Sequence, residues 1–213
     1  MVVSKPSRKR NRPISTPPEK IIRCPWAGND PDYIAYHDRE WGVPLHDETR
    51  LFEMLILEGF QAGLSWITIL KKRPAFARAF CGWDVERIAA FGEKDVARLM
   101  ADAAIVRNRL KINAAVTNAK GFLEIAKKPG GFDRYVWSFT GGKPLLPAKP
   151  YKTLKSVPCS TPLSDAMSRD LKERGFRFVG TTICYSFMQA VGMVNDHVEG
   201  CFKSPFQHSL PVS

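Results

Sequence analysis

The run from Leu51 to Phe60 is apolar on almost every side of a helix, with Phe52, Met54, Leu55, Ile56, Leu57 and Phe60 leaving little face for water. A helix of that kind must be wrapped by other elements, so the segment belongs at the centre of a domain. One residue conflicts with that place. At about 100° per residue, Glu58 shares a stripe roughly 60° wide with Leu51, Leu55 and Ala62, whereas Glu53 points away and is expected at the surface. A buried carboxylate without a partner is costly or takes up a proton, and no Lys or Arg lies within four residues on that stripe. Glu58 therefore either caps the amides of a neighbouring element or faces a cleft. Gly59, Gly63 and Trp66, which follow at once, mark where such a cleft would open.

The other signals are helical as well. A short helix is expected over Asp32–Trp41 with Pro31 at its entrance, and Asp47 is a good N-cap for the helix that carries Glu58. Ser65 caps a helix through Leu70, and Pro74 starts another toward Phe80. Asp84 and Gly92 open two short segments reaching about Ala90 and Met100, and Ala104 to Ile125 has helical spacing. From Lys127 to Pro162 the chain is rich in proline and glycine. Tyr135, Trp137 and Phe139 alternate there, which predicts a short extended piece within an irregular connection. Helices return at Leu163–Arg174, with Ser164 as cap, and from Thr181 to about Val191. With no internal repeat and no alternating βαβ pattern, the expected fold class is all-α.

Composition narrows the setting. The 213 residues suit one globular domain or two small lobes. No apolar run is long enough to span a membrane and no secretory leader is visible, so an intracellular, cytoplasmic protein without a membrane partner is expected. Five irregularly spaced cysteines fit a reducing compartment, with metal binding as one use for some of them. Of the net charge of +11, residues 1–23 carry +6 and the rest +5. Residues 1–21 are expected to be a disordered basic tail, 22–202 the folded domain and 203–213 a second tail. A moderately basic domain permits nucleic acid as a partner without demanding it.

Two constellations stand out. Cys24 lies thirteen residues before His37, and His197 four before Cys201. Together they offer the two Cys and two His of a tetrahedral Zn²⁺ site, with Asp38 and Asp196 as neighbours able to orient the imidazoles. The alternative is four unrelated core residues. A four-ligand ion has no open position for water and is structural, tying the start of the domain to its end. In the second, Trp26, Tyr33, Tyr36, Trp41 and Trp66 cluster around the first helix. They form either ordinary core or, with a buried acid, the stacking faces and hydrogen-bonding edge that a flipped base requires. Gly175-Phe-Arg-Phe-Val-Gly180 joins two helices, and the amides of Thr181 and Thr182 are free to hold a phosphate among Arg169, Lys172, Arg174 and Arg177. An ordinary αα-hairpin with a basic face is the competing explanation.

Cys-Pro-Trp (24–26), Tyr-Ile-Ala-Tyr-His-Asp (33–38), Glu-Trp-Gly-Val-Pro (40–44), Leu-Glu-Gly-Phe-Gln-Ala-Gly-Leu-Ser-Trp (57–66), Arg-Gly-Phe-Arg-Phe-Val-Gly-Thr-Thr-Ile-Cys-Tyr-Ser-Phe-Met-Gln-Ala (174–190) and Val-Asn-Asp-His (194–197) together resemble the 3-methyladenine DNA glycosylase I family. The resemblance runs from about Ile22 to Phe202. It implies an all-α, two-lobed helix-hairpin-helix glycosylase fold, monomeric, with one structural Zn²⁺ on Cys24, His37, His197 and Cys201. It implies further that Glu58 is the catalytic pocket carboxylate and Trp66 the stacking wall. Tyr36 would be a polar contact, with Tyr33, Trp26 and Trp41 lining the pocket. Gly63, Leu64, Arg177, Gly180, Thr181 and Thr182 would meet double-stranded DNA carrying an alkylated base. Asn195 would stand where related glycosylases carry an aspartate, and Asp196 beside the metal. The implied reaction is hydrolysis of the N-glycosidic bond of 3-methyladenine in base-excision repair. A non-catalytic DNA-binding module and a metallohydrolase are the competing functions. The first leaves Glu58 unexplained, and the second needs an open metal position.

Overall fold

A computed structural model describes residues 21–206, so most of the predicted basic tail and residues 207–213 lie outside the described residues. Among these, the chain forms nine α-helices and no strand. They are α1 (Pro31–Arg39), α2 (Glu48–Gln61), α3 (Trp66–Ala79), α4 (Val85–Ala89), α5 (Glu93–Ala101), α6 (Arg109–Ala126), α7 (Gly131–Trp137), α8 (Pro162–Glu173) and α9 (Thr181–Ala190).

Helix α2 is the axis of the fold. Every residue from Leu51 to Phe60 is buried, and α3, α6, α7 and α9 pack around it. Asp47 starts it by accepting the amide of Arg50 at 2.8 Å. Its other end is held by a residue that periodicity does not reveal: the buried Lys111 of α6 donates to the carbonyls of Phe60 (2.8 Å) and Ala62 (2.6 Å). A cation on the last carbonyls is the partner that a helix C-terminus favours.

Several expectations are corrected. Glu53 is buried, because Arg73 of α3 grips its two oxygens at 2.8 and 3.1 Å while also reaching Glu40 at 2.7 Å. That three-residue network also stands beside Pro74, which sits inside a single helix α3 instead of dividing two. Proline removes one helical hydrogen bond, and the tertiary anchor at Arg73 offsets the loss. The aromatic alternation at 135–139 is not a strand. Phe132, Val136 and Trp137 bury one face of α7, and Trp137 donates to Leu45 O at 3.0 Å. The N-cap of α8 is Thr161, with Pro162 at its first position and Ser164 three residues in, closing a capping box. Helix α6 begins at Arg109 under the Asn108 cap, later than the spacing implied.

The proline-rich segment after α7 is stitched to the end of the domain. Leu145 and Val194 form an isolated parallel bridge, and Glu199 donates its amide to Tyr151 O at 2.8 Å. Leu154, Val157 and Pro158 are thereby brought over the space between α1, α2 and α9.

Candidate active site and metal centre

Helix α1 carries two sites on one short stretch. Asp30 caps it, accepting the amides of Asp32 and Tyr33. Tyr33 and Tyr36 then face one side while His37, the next residue, reaches the other. Beneath the tyrosines lies a cavity of about 280 Å³. Trp26, Tyr33, Tyr36, Trp41, Glu58 and Trp66 all line it, so the structure brings together the five aromatic residues proposed as a base pocket and Glu58 of α2. Tyr36 and Trp66 lie 5.3 Å apart by ring centroid, and Trp26 touches both Tyr33 (5.0 Å) and Trp41 (5.1 Å).

Glu58 does not cap a neighbouring element. Its Oε2 is buried and has no hydrogen-bond partner among the described residues, and the same is true of Trp66 Nε1. Burial alone pushes the Glu58 carboxyl up to about 8. The Tyr36 hydroxyl is raised well above its ordinary value, first by burial and then by Glu58, so it stays protonated and able to donate. A cavity with an unmatched acid and flat walls of indole and phenol suits a planar, positively charged guest. Such a guest would restore the charge on Glu58 and lie against the rings.

Sequence reasoning did not place Gln61, Ser186, Gln189 or Asp196 on this cavity, nor the roof residues Leu154, Val157 and Pro158. Asp196 was expected beside the metal. Its Oδ2 instead accepts from Tyr185 (2.6 Å) and Gln189 (2.8 Å) of α9. Its neighbour Asn195 accepts the His197 amide at 3.3 Å and bonds toward Lys203. Gln61 stands three residues beyond Glu58, which periodicity does identify, but polar residues at partly exposed helix ends such as Gln61 and Gln189 give no signal of their own.

A second, smaller hollow adjoins the first across Glu58, Gln61 and Ser186 and is bordered by Gly63, Leu64 and Thr182. Gly63 has φ +80°, a turn that only glycine adopts without strain, and Leu64 beyond it is 43% exposed. Gly180 precedes α9. The Thr181 hydroxyl is engaged by Asp165 and by Ser164, which leaves its backbone amide for any outside group. Arg177 is exposed, and its backbone is clamped on both sides by Asn118 (2.7 and 3.0 Å). Arg174 is tied to Asp170 and lies over Tyr135, so the basic face keeps Arg169, Lys172 and Arg177 without ion pairs among the described residues.

On the other side of α1, Cys24, His37, His197 and Cys201 converge, all buried, with ligand atoms within 4.8 Å of one another. The Cys24 Sγ–His197 Nδ1, Cys201 Sγ–His37 Nε2 and Cys201 Sγ–His197 Nδ1 distances are each 3.4 Å. Sulfur and nitrogen ligands at tetrahedral angles around Zn²⁺ stand about 3.5 Å apart, so the set has the size of a zinc site. The imidazoles are also oriented for it. His37 Nδ1 faces Asp38 at 2.8 Å and His197 Nε2 faces the Trp41 carbonyl at 3.3 Å, which turns the opposite lone pairs inward. Arg23 pairs with the same Asp38 at 2.7 Å.

Residues 26–204 match the family model described as methyladenine glycosylase. The chain is 54% identical over 179 residues to DNA-3-methyladenine glycosylase 1 of Escherichia coli (strain K12), spanning 84% of this chain and 95% of that protein. It superposes with a TM-score of 0.83 on a crystal structure of 3-methyladenine DNA glycosylase I, at 53% identity over 86% of this chain and all of the other. A structure of 3-methyladenine DNA glycosylase I from Staphylococcus aureus, described as giving the basis of 3-methyladenine recognition, matches with a TM-score of 0.81 at 38% identity, over 86% and 96% of the two chains.

Proposed function

The chain belongs to the methyladenine glycosylase family, and from that premise we propose that it excises 3-methyladenine from alkylated double-stranded DNA as a monofunctional glycosylase in base-excision repair. The observation that carries this function is Glu58, an acid whose Oε2 is buried without a partner among the described residues inside an aromatic cavity.

Methylation at N3 gives the purine a positive charge and weakens its glycosidic bond. That cation draws Glu58 into its ionised form and pairs with it, whereas an unmodified adenine brings no charge to compensate the carboxylate. Trp66 and Tyr36 hold the flipped ring, Tyr33, Trp26 and Trp41 complete its walls, and flipping is easier at a damaged base. Water then adds its oxygen to C1′ as the C1′–N9 bond breaks. The bond's electron pair neutralises the ring, and the water proton leaves to solvent. The free base and an abasic site are the products. Among the described residues no lysine lines the cavity, and Lys111 is bound to two carbonyls, which supports simple hydrolysis without a Schiff base.

The α8–turn–α9 unit acts as the helix-hairpin-helix of a two-lobed glycosylase domain spanning 22–202. Gly180, Thr181 and Thr182 present amides to a phosphate, Arg177 adds charge, and Gly63 and Leu64 enter the gap left by the flipped nucleotide. One Zn²⁺ on Cys24, His37, His197 and Cys201 supplies a structural tie and no reacting group. The protein acts as a monomer on DNA inside the cell. No helix among the described residues is long and apolar enough to cross a membrane.

The test is release of bases from methylated duplex DNA, separated by chromatography. Wild-type protein frees 3-methyladenine, and Glu58→Gln frees it at least about a hundredfold more slowly, the scale of losing one electrostatic contact made in the transition state. Wild-type rates in the variant would remove Glu58 from the mechanism.

A further inference from the structure

The cavity contains two glutamines that differ in one respect. Gln61 has no side-chain hydrogen bond among the described residues, so its amide can turn either end toward a guest. Gln189 cannot. Its Nε2 donates to Asp196 Oδ2 at 2.8 Å, and the same oxygen accepts the Tyr185 hydroxyl at 2.6 Å. A carboxylate oxygen accepts and never donates, so the donor end of the Gln189 amide must face Asp196. The O/N ambiguity that usually attends an amide is thereby removed. Its carbonyl Oε1 points the other way and has no partner among the described residues. Gln189 and Asp196 both border the cavity that contains Glu58.

We propose that Gln189 is a specificity-determining residue, locked by Asp196 and Tyr185 so that its carbonyl oxygen accepts from the 6-amino group of an N3-methylated adenine and rejects the 6-oxo group of an N3-methylated guanine. This rests on the function proposed above and deepens it. The two lesions carry similar ring charge, so the attraction of Glu58 does not separate them. The difference lies at C6, where adenine offers N–H donors and guanine an acceptor oxygen. An oxygen placed against a fixed carbonyl oxygen leaves two acceptors unmatched. A site built to hydrogen-bond one substrate discriminates strongly against an analogue that cannot make the bond.

The experiment compares release of 3-methyladenine and 3-methylguanine from one methylated duplex, as the ratio of kcat/KM values, with zinc content and thermal midpoint confirming the fold of each variant. Wild-type protein favours 3-methyladenine. Gln189→Met keeps the bulk and removes the acceptor. The ratio then falls by about tenfold or more, through loss of 3-methyladenine release. Asp196→Asn offers a side-chain N–H and frees the Gln189 amide to turn over, which raises 3-methylguanine release relative to 3-methyladenine. A folded Gln189→Met protein with an unchanged ratio overturns the proposal, even if both rates fall together. If that variant does not fold, an unchanged ratio in Asp196→Asn overturns it instead. Release of neither base by wild-type protein would overturn the functional assignment, and this inference with it.

Discussion

Replacing Glu58 by Gln keeps the shape of the side chain and removes its titration, and the consequence for folding can be worked out. Burial lifts the folded carboxyl to about 8 from an ordinary 4.5. Between those values the folded chain keeps a proton that the unfolded chain has released, so folding stability falls as the pH rises. Integrating that difference gives a penalty of about 1 kcal/mol at pH 5 and about 4 kcal/mol at pH 8, levelling off near 5 kcal/mol above it. Glutamine has no such equilibrium. Its amide adds a constant offset, from whatever partner its N–H groups find or lack, and that offset does not vary with pH. Urea unfolding of both proteins from pH 5 to pH 8 should therefore show Glu58→Gln gaining about 3 kcal/mol on wild type across the range. Other titrating groups are common to the two chains and cancel in the difference. A gap that stays level to within about 0.5 kcal/mol would refute the reasoning, because it would mean that Glu58 is solvated or paired in the folded protein. The predicted result is a protein made less stable by the buried acid of its own cavity, the trade expected if that group is held ready for a charged guest, as proposed above.

Lys111→Ala should destabilise the fold by about 2–4 kcal/mol in urea, since it strips a charged donor from two carbonyls at the end of α2. It should also slow base release, as the Gly63–Leu64 turn continues from that end. Metal analysis of purified protein should give one zinc per chain. Extraction by a strong chelator should lower the thermal midpoint by more than about 10 °C, given a binding free energy on the order of 10 kcal/mol for a structural site. A chelated protein that holds no metal and melts at the original temperature would rule the ion out as a structural element.

The parts of this molecule that could be read from sequence are those with local signatures. The all-round apolar pattern of α2 located the core, and Glu58 on its apolar stripe located the cavity, because a helical period is set within a few residues. The metal-ligand set was visible through residue chemistry more than spacing, and the family motifs tied its members together. What escaped depends on partners far away in the chain. Glu53 looks exposed until Arg73 arrives from the next helix, and Pro74 looks like a terminus until the same arginine anchors the helix across it. Tyr135, Trp137 and Phe139 alternate like a strand, yet the residues buried by α7 include Phe132 and Val136 at helical spacing. Lys111 and Gln189 gave no signal, and Asp196 only the misleading one of its neighbour His197, because each is defined by its tertiary hydrogen bonds, with no pattern of its own.

Cys24 meets His197 across a sequence separation of 173 residues and His37 meets Cys201 across 164, and the cavity takes walls from the same two ends of the domain. A ribosome makes the chain in one direction, so Tyr33, Tyr36 and Glu58 emerge long before Asp196 and Cys201. Contacts of such separation also close late in folding. A chain interrupted before residue 196 therefore contains Glu58 and its aromatic neighbours but lacks Asp196, His197 and Cys201, part of the cavity wall and half of the Cys/His cluster. On the proposed function, base excision would then await the completed chain.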